Sequence, residues 1–155
     1  FETQYFHKTD FNNYADSFSL NILNTIRICQ KSIQVFRKKK FGKIINILSS
    51  AVVNKPSLGW SLYVAEKNYL LSLSKSWAVE NAKFNISSNS ISPAFMKTDF
   101  HKKTDERIIE QITINHPLKT LLKPKEVANS VKYLIQASQQ INGTNMIINA
   151  AQDVI

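Results

Sequence analysis

The feature that most constrains the fold is a short apolar segment, residues 43–48 (KIINIL), which lies between two long segments with a helical repeat. The segment is rich in β-branched side chains and almost continuously apolar, as a strand covered on both faces requires. Ser49 and Ser50 follow it and end the strand. A covered strand between helices predicts an α/β fold built on a parallel sheet.

The two flanking segments each predict a long helix. Residues 12–37 form the first, with Asp10 as its cap and Gly42 at its end, because glycine tolerates the left-handed conformation that closes helices. Residues 61–82 form the second. The apolar positions recur every three or four residues, which predicts one buried face per helix: Phe18, Ile22, Ile26, Cys29, Ile33 and Phe36 in the first, and Leu70, Leu73, Trp77 and Ala78 in the second.

The rest of the chain continues the alternation of strands and helices. We predict a weaker strand over residues 85–92 that Pro93 ends, a helix near 105–112, a helix over 126–136 with Pro124 in its first turn, and a last strand over 145–149. This order is typical of βαβ units. The expectation is one domain, residues 1–155, with a truncated Rossmann-like parallel sheet of about three strands flanked by long helices.

Composition excludes several classes of protein. The single cysteine, Cys29, excludes an internal disulfide and favours a reducing, cytoplasmic compartment. No stretch approaches the roughly 18 apolar residues of a membrane span, so we expect no membrane partner. The three histidines, His7, His101 and His116, are too far apart in sequence to predict a metal site.

The net charge of +9 raises the question of nucleic-acid binding. The densest basic run is residues 37–40 (RKKK), with Lys43 close behind, and no aromatic side chains are interleaved with it. A solvated helix C-terminus explains such a run, because cations there interact favourably with the helix dipole. We therefore expect no nucleic-acid partner.

A serine, a tyrosine and a lysine are spaced for proton transfer. Tyr63 and Lys67 lie four residues apart, on one helix face, and Ser50 lies 13 positions before Tyr63 at a strand end. Ligands of open parallel sheets bind beyond the carboxyl ends of the strands. There a serine hydroxyl can hold a carbonyl oxygen, a phenol can give or take a proton, and a neighbouring ammonium lowers the pKa of that phenol.

With these residues the chain resembles the short-chain dehydrogenase/reductase family over nearly its whole length. Residues 42–50 (GKIINILSS) look like the family's strand ending in the catalytic serine, and residues 63–67 (YVAEK) look like its Tyr-x-x-x-Lys motif. Further matching segments are residues 74–80 (SKSWAVE), 89–99 (NSISPAFMKTD), 124–128 (PKEVA) and 141–143 (ING). The resemblance implies hydride transfer between a nicotinamide cofactor, NAD or NADP, and a carbonyl or alcohol.

The resemblance also implies roles for individual residues. Tyr63 would exchange the proton, Ser50 would hydrogen-bond the substrate oxygen, Lys67 would bind the nicotinamide ribose, and Asn21 would hold a relay water. Ser49 competes with Ser50 because its spacing from Gly42 is favourable, and Asn24 competes with Asn21. The residues expected to contact the cofactor are Tyr63, Lys67, Pro93, Met96 and Thr98. Ser50 and Trp60 are expected to contact the substrate, and packing at the start of the helix is the alternative role of Trp60.

Several family features are absent from the sequence. There is no Gly-x-x-x-Gly-x-Gly loop and no Asn-Asn-Ala-Gly segment, and Ala94, Ala150 and Ala151 stand where glycines are usual. The glycine-rich loop normally leads into the helix whose N-terminus neutralises the cofactor pyrophosphate. Because this sequence lacks that loop, we expect this polypeptide alone to be inactive and to bind nicotinamide cofactor weakly or not at all.

The substrate and the assembly are expectations by analogy. The chain looks most like 3-oxoacyl-acyl-carrier-protein reductases, so a small-molecule or carrier-bound carbonyl is the expected substrate, with residues 37–43 near the acidic carrier. The Tyr63 helix usually forms a subunit interface in this family, which implies a homo-oligomer. The alternatives are a non-catalytic remnant or assembly module, and a sugar-nucleotide epimerase or dehydratase, against which the short C-terminal region counts.

Overall fold

In the part of the chain that the structure describes, the fold is a three-stranded parallel sheet with helices on both faces. The computed structural model describes residues 4–53, 55–99 and 104–152. The strands are β1 (Gly42–Ile47), β2 (Ile86–Pro93) and β3 (Asn145–Ile148), in the order β1-β2-β3. Asn46 pairs with Ser90, and Ser92 pairs with Ile147. The predicted α/β fold with a parallel sheet of about three strands is confirmed.

Five α-helices connect and cover these strands in the described part of the chain. They are α1 (Phe11–Phe18), α2 (Asn24–Lys39), α3 (Ser61–Asn81), α4 (Glu106–Asn115) and α5 (Pro124–Gln136). Pro124 occupies the first turn of α5, as predicted. None of the helices in the described ranges combines the length and the apolar character that crossing a membrane requires.

The first long helix is interrupted, which the sequence pattern did not indicate. Asp10 caps α1 by accepting a hydrogen bond from the Asn12 backbone N–H at 2.9 Å, as predicted. A π-helical turn, Ser19–Leu23, then separates α1 from α2, and the Asn24 N–H donates to the Ser19 carbonyl. One extra residue in a turn leaves the apolar spacing almost unchanged, so periodicity alone could not reveal it.

The predicted role of Gly42 was wrong. Lys40, not Gly42, takes the left-handed conformation after α2, with φ 51° and ψ 36°. Gly42 is already the first residue of β1, and a Cβ atom on it would overlap the Phe36 ring. A glycine is needed here because the strand backbone passes directly beneath an aromatic side chain of the preceding helix.

Among the described residues, two clusters of buried side chains pack on opposite faces of the sheet. One joins Ile22 and Leu70 to Leu48, which directly follows β1. The other joins Ile91 of β2 to Val127 and Leu134 of α5. Ile91 pairs with Ile47, the residue before Leu48, and successive side chains of a strand point to opposite faces. The sheet is therefore covered on both sides, and its strand ends are left to form the site.

Candidate active site

A cavity of about 960 Å³ lies where the carboxyl ends of β1 and β2 meet α1 and the start of α3. This is the position at which open parallel sheets bind ligands. Its walls include every residue that the resemblance assigned to catalysis or to contact with cofactor or substrate: Asn21, Ser50, Trp60, Tyr63, Lys67, Pro93, Met96 and Thr98. The structure thus brings together side chains that are up to 77 positions apart in the sequence.

The serine that meets the tyrosine is Ser49. Its hydroxyl shares a hydrogen bond with the Tyr63 phenol, and it also accepts one from the Ala51 N–H at 3.2 Å, which fixes its rotamer. Ser49 has an extended backbone, with φ −158° and ψ 148°, and so continues β1 by two residues. Ser50 also lines the cavity, but it begins the short helical turn Ser50–Val52.

Tyr63 is held between an aromatic ring and a hydroxyl. The Trp60 ring meets it edge-on, with ring centres 5.5 Å apart. Burial raises the pKa of the Tyr63 phenol, the Ser49 hydrogen bond lowers it, and the nearby Glu66 raises it. This differs from the expectation that Lys67 would make the phenol more acidic, because desolvation is the largest influence on this pKa.

Lys67 is fixed against the end of β1. Its Nζ donates to the Ile47 carbonyl at 3.3 Å and lies 5.7 Å from the centre of the Tyr63 ring. Burial lowers the pKa of the Lys67 ammonium, and the charge of Glu66 opposes that fall. The strand end therefore orients the cation toward the cavity that Tyr63 and Ser49 share.

Asn21 reaches the site from the π turn. Its Nδ2 donates to Ser17 Oγ at 3.2 Å and to Glu66 Oε2 at 3.4 Å. Its backbone carbonyl accepts from the Thr25 hydroxyl at 2.6 Å. Asn24, the competing assignment, instead accepts from Arg27 at 3.4 Å. Irregular helical turns of this type are frequent at functional sites, and here the turn places Asn21 rather than Asn24 at the cavity.

Glu66 is a site residue that the sequence reasoning missed. It is 5% exposed, and burial raises the pKa of its carboxyl group while Asn21, Ser17 and Lys67 lower it. A signal for its burial was present, because Glu66 lies at steps of four from the buried stripe of Leu70, Ser74 and Ala78. An acidic residue inside an apolar stripe is an informative exception to the pattern.

The segment after β2 forms another wall of the cavity. Pro93 is buried and ends β2, and the Ala94 N–H donates to the Ile148 carbonyl at 2.8 Å. Met96 packs against the cluster around Ile91. Thr98 is half-buried and lines the cavity. Residues 100–103, which include His101, lie outside the described residues.

Two alanines after β3 adopt a conformation that favours glycine. Ala150 and Ala151 have φ values of 52° and 56°, in the left-handed region. A residue with a Cβ atom in this region costs roughly 1–2 kcal/mol. The backbone thus keeps a geometry that paired glycines would adopt without strain. The next residue, Gln152, lines the cavity.

Metal ligation has no structural basis in the described part of the chain. Within residues 4–53, 55–99 and 104–152, no three side chains of His, Cys, Asp or Glu are grouped closely enough to hold an ion. His116 is buried, and its Nδ1 accepts from the Leu118 N–H at 3.2 Å, which is a structural role.

Comparison with known proteins decides the family. A family model described as enoyl-(acyl carrier protein) reductase matches residues 2–150. The chain belongs to the short-chain dehydrogenase/reductase family. It is similar to carbonyl reductase family member 4 of Xenopus laevis, with 34% identity over 131 residues. It is also similar to the 3-oxoacyl-(acyl-carrier-protein) reductase FabG of Rickettsia felis, with 33% identity over 142 residues.

The matches cover most of this chain but only part of each relative. The two alignments span 84% and 90% of this chain, and 53% and 57% of the relatives. The chain therefore spans about half the length of the curated relatives it matches.

The fold is shared with solved structures. A gluconate 5-dehydrogenase from Burkholderia cenocepacia, in complex with NADP and tartrate, superposes with a TM-score of 0.88 at 18% identity. The match covers 97% of this chain and 60% of that one. A putative gluconate dehydrogenase from Agrobacterium tumefaciens also gives a TM-score of 0.88 at 19% identity, covering 99% of this chain and 62% of that one.

Proposed function

We propose that this chain carries the catalytic residues of an NAD- or NADP-dependent oxidoreductase that interconverts a carbonyl and an alcohol. The observation that carries the proposal is the hydrogen bond between Ser49 and Tyr63, with Lys67 anchored beside them at the end of β1. The two similar reductases, one named for carbonyl compounds and one for 3-oxoacyl carrier proteins, support this reaction class.

The residues present fit the nicotinamide end of such a cofactor. The cavity, at about 960 Å³, lies near the upper end of the range of small-molecule sites. Lys67 supplies a cation and Thr98 a hydroxyl on its walls, and Met96 supplies an apolar surface. The bound cofactor supplies or takes up the hydride.

Each side chain then has one task in carbonyl reduction. Ser49 donates a hydrogen bond to the substrate carbonyl oxygen and fixes its position. Tyr63 donates its phenolic proton to that oxygen as negative charge develops on it. Lys67 supplies positive charge beside the resulting phenolate, and Asn21 shapes the cavity wall next to Glu66. In this proposal Ser49 takes the place that the sequence spacing gave to Ser50.

A direct assay tests the proposed reaction. The protein encoded by the complete reading frame that contains residues 1–155 would be mixed with NADH or NADPH and a panel of ketones, acetoacetyl-CoA and a 3-oxoacyl carrier protein. We expect cofactor oxidation that depends on one of the carbonyl compounds. Absence of turnover with every pair would contradict the proposal and favour a non-catalytic remnant or assembly module.

We further propose a carrier-bound acyl substrate. Its support is the exposed basic run at the end of α2, which includes Lys38, Lys39 and Lys40, and a carrier protein is acidic. A surface of several like charges steers an oppositely charged partner and makes binding sensitive to salt.

The variant Lys39→Glu with Lys40→Glu is expected to weaken binding of acidic carrier protein at low salt. The double variant Lys125→Glu with Lys132→Glu, on exposed positions of α5, makes the same charge change elsewhere and is expected to leave binding intact. The measurement is carrier affinity against ionic strength by fluorescence titration. Equal affinities of the two variants would remove the carrier surface from the proposal.

A homo-oligomer is the third part of the proposal. The outer side of α3 carries two large apolar side chains among polar ones: Tyr69 is half-exposed and Val79 is 82% exposed, whereas Leu70 on the inner side is buried. Exposed apolar side chains of this kind can form a contact between protein chains. A second copy of this chain is the proposed contact, and sedimentation equilibrium measures the oligomeric state.

A cytoplasmic location is included in the proposal, supported by the single, buried Cys29.

A further inference from the structure

Ser17 lines the candidate cavity but has no part in the reaction described above. It lies on α1 and is half-buried, and its hydroxyl group contacts two other residues of the site. Ser17 Oγ donates to Glu66 Oε1 at 3.5 Å and accepts from Asn21 Nδ2 at 3.2 Å. A helical serine commonly donates to a backbone carbonyl of the preceding turn, whereas this hydroxyl group reaches across to α3.

These contacts close a triangle of three side chains from three elements. Ser17 belongs to α1, Asn21 to the π turn and Glu66 to α3. Asn21 Nδ2 donates to Glu66 Oε2 at 3.4 Å, which completes the triangle. Ser17 and Asn21 are four residues apart, a spacing that makes two helical side chains neighbours on one face. The triangle therefore ties the π turn to the helix that carries Tyr63 and Lys67.

The donors and acceptors of the triangle determine how the Asn21 amide is turned. A serine hydroxyl group has one hydrogen, and that of Ser17 is directed to the Glu66 carboxyl group. Ser17 therefore offers Asn21 a lone pair, and the partner of a lone pair is the NH2 group of the amide. Turning the amide over would place the Asn21 carbonyl oxygen opposite two acceptors, Ser17 Oγ and Glu66 Oε2. Both hydrogens of Nδ2 are thus engaged, and Oδ1 is the atom that Asn21 offers to a ligand in the cavity.

We propose that Ser17 is a positioning residue of the candidate site that acts through Asn21: its hydroxyl group holds the Asn21 amide with Nδ2 toward Glu66 and with Oδ1 available to the cavity. This end of the cavity then selects a ligand group that donates a hydrogen bond, such as a hydroxyl group or a water molecule, over a carbonyl or carboxylate oxygen. The inference deepens the proposed function, on which its meaning for catalysis rests, but the orientation itself exists without substrate or cofactor.

NMR of the Asn21 side-chain amide tests this orientation. The protein encoded by the complete reading frame would be labelled with nitrogen-15 in asparagine, and Asn21→Asp, which lacks the NH2 group, identifies its two signals. Ser17→Ala removes the hydroxyl group, and Ser17→Thr keeps one at the same position. The matched control is Ser76→Ala, since Ser76 is an exposed serine of α3 that donates to the Ser72 carbonyl of its own helix at 3.1 Å.

We expect the Asn21 NH2 hydrogens to exchange with water up to about tenfold faster in Ser17→Ala than in the unaltered protein, as the loss of one ordinary hydrogen bond predicts. Ser17→Thr should restore the slow exchange, and Ser76→Ala should leave it unchanged. A purely structural serine would not alter the exchange of this one amide. Equal exchange rates in Ser17→Ala and Ser76→Ala would overturn the inference.

The unaltered protein supplies a second readout, which decides should Ser17→Ala fail to fold. Asn12 is an exposed asparagine of α1 and serves as the internal reference. Slower exchange of the Asn21 NH2 hydrogens than of those of Asn12 supports the inference, and equally fast exchange overturns it. Neither readout requires turnover, so failure of the proposed reaction would be recognised separately.

Discussion

Replacement of Tyr63 by phenylalanine is expected to lower kcat/KM for carbonyl reduction by about 10²–10⁴-fold, the usual contribution of a positioned general acid. The change removes one hydroxyl group and leaves the ring, so the edge-on contact with Trp60 is preserved. Ser49 keeps its hydrogen bond from the Ala51 N–H. The loss should therefore appear in kcat, with KM little changed, because the missing interaction operates during proton transfer.

The measurement is steady-state kinetics of the complete protein with its preferred nicotinamide cofactor and carbonyl substrate. Tyr133→Phe serves as the control, since Tyr133 is an exposed tyrosine on α5, remote from the cavity. Circular dichroism would show that both variants remain folded. Turnover by Tyr63→Phe equal to that of the control would mean that Tyr63 is not the proton donor, and the proposed mechanism would have to be abandoned.

Much of the fold follows from local pattern. The β-branched run after Gly42 predicted the bounds of β1 to within one residue. Pro93 predicted the end of β2, and Pro124 predicted the first turn of α5. These features depend on short-range chemistry: strand burial, the missing proline N–H and its fixed φ. Such effects are present in the sequence itself, before any tertiary contact forms.

Features that depend on a tertiary neighbour were not predictable in the same way. Gly42 is required by the Phe36 ring above it, and no local rule gives that approach. The π turn at Ser19–Leu23 keeps the apolar repeat of a regular helix while it turns Asn21 toward Glu66. The burial of Glu66 depends on donors from α1 and the π turn, which are 49 and 45 positions away, respectively.

The choice between Ser49 and Ser50 shows where spacing stops being informative. Counting from Tyr63 favoured Ser50, whereas counting from Gly42 favoured Ser49. The loop between the two serines and α3 can be one residue longer or shorter without changing the rest of the fold, so the spacing from Tyr63 does not fix the serine. A strand cannot change its length in this way, because its side chains alternate strictly between the two faces of the sheet. Ser49 continues the extended backbone of β1, and so its direction is set by the strand rather than by the loop.

Two alanine variants, compared by their kcat values, test which of the two serines contacts the substrate oxygen. Ser49→Ala is expected to lower kcat by about 10²–10³-fold, as loss of one donor to a developing oxyanion does. Ser50→Ala is the matched control, because it removes the same hydroxyl group one residue later, from a side chain that also lines the cavity. We expect Ser50→Ala to retain most of the activity.

The pKa of Tyr63 should rise in Ser49→Ala but not in Ser50→Ala, since the hydrogen bond from Ser49 lowers that pKa. If Ser50→Ala instead gave the larger loss, the substrate oxygen would lie beyond the turn at Ser50–Val52, and the spacing from Tyr63 would have been the better guide.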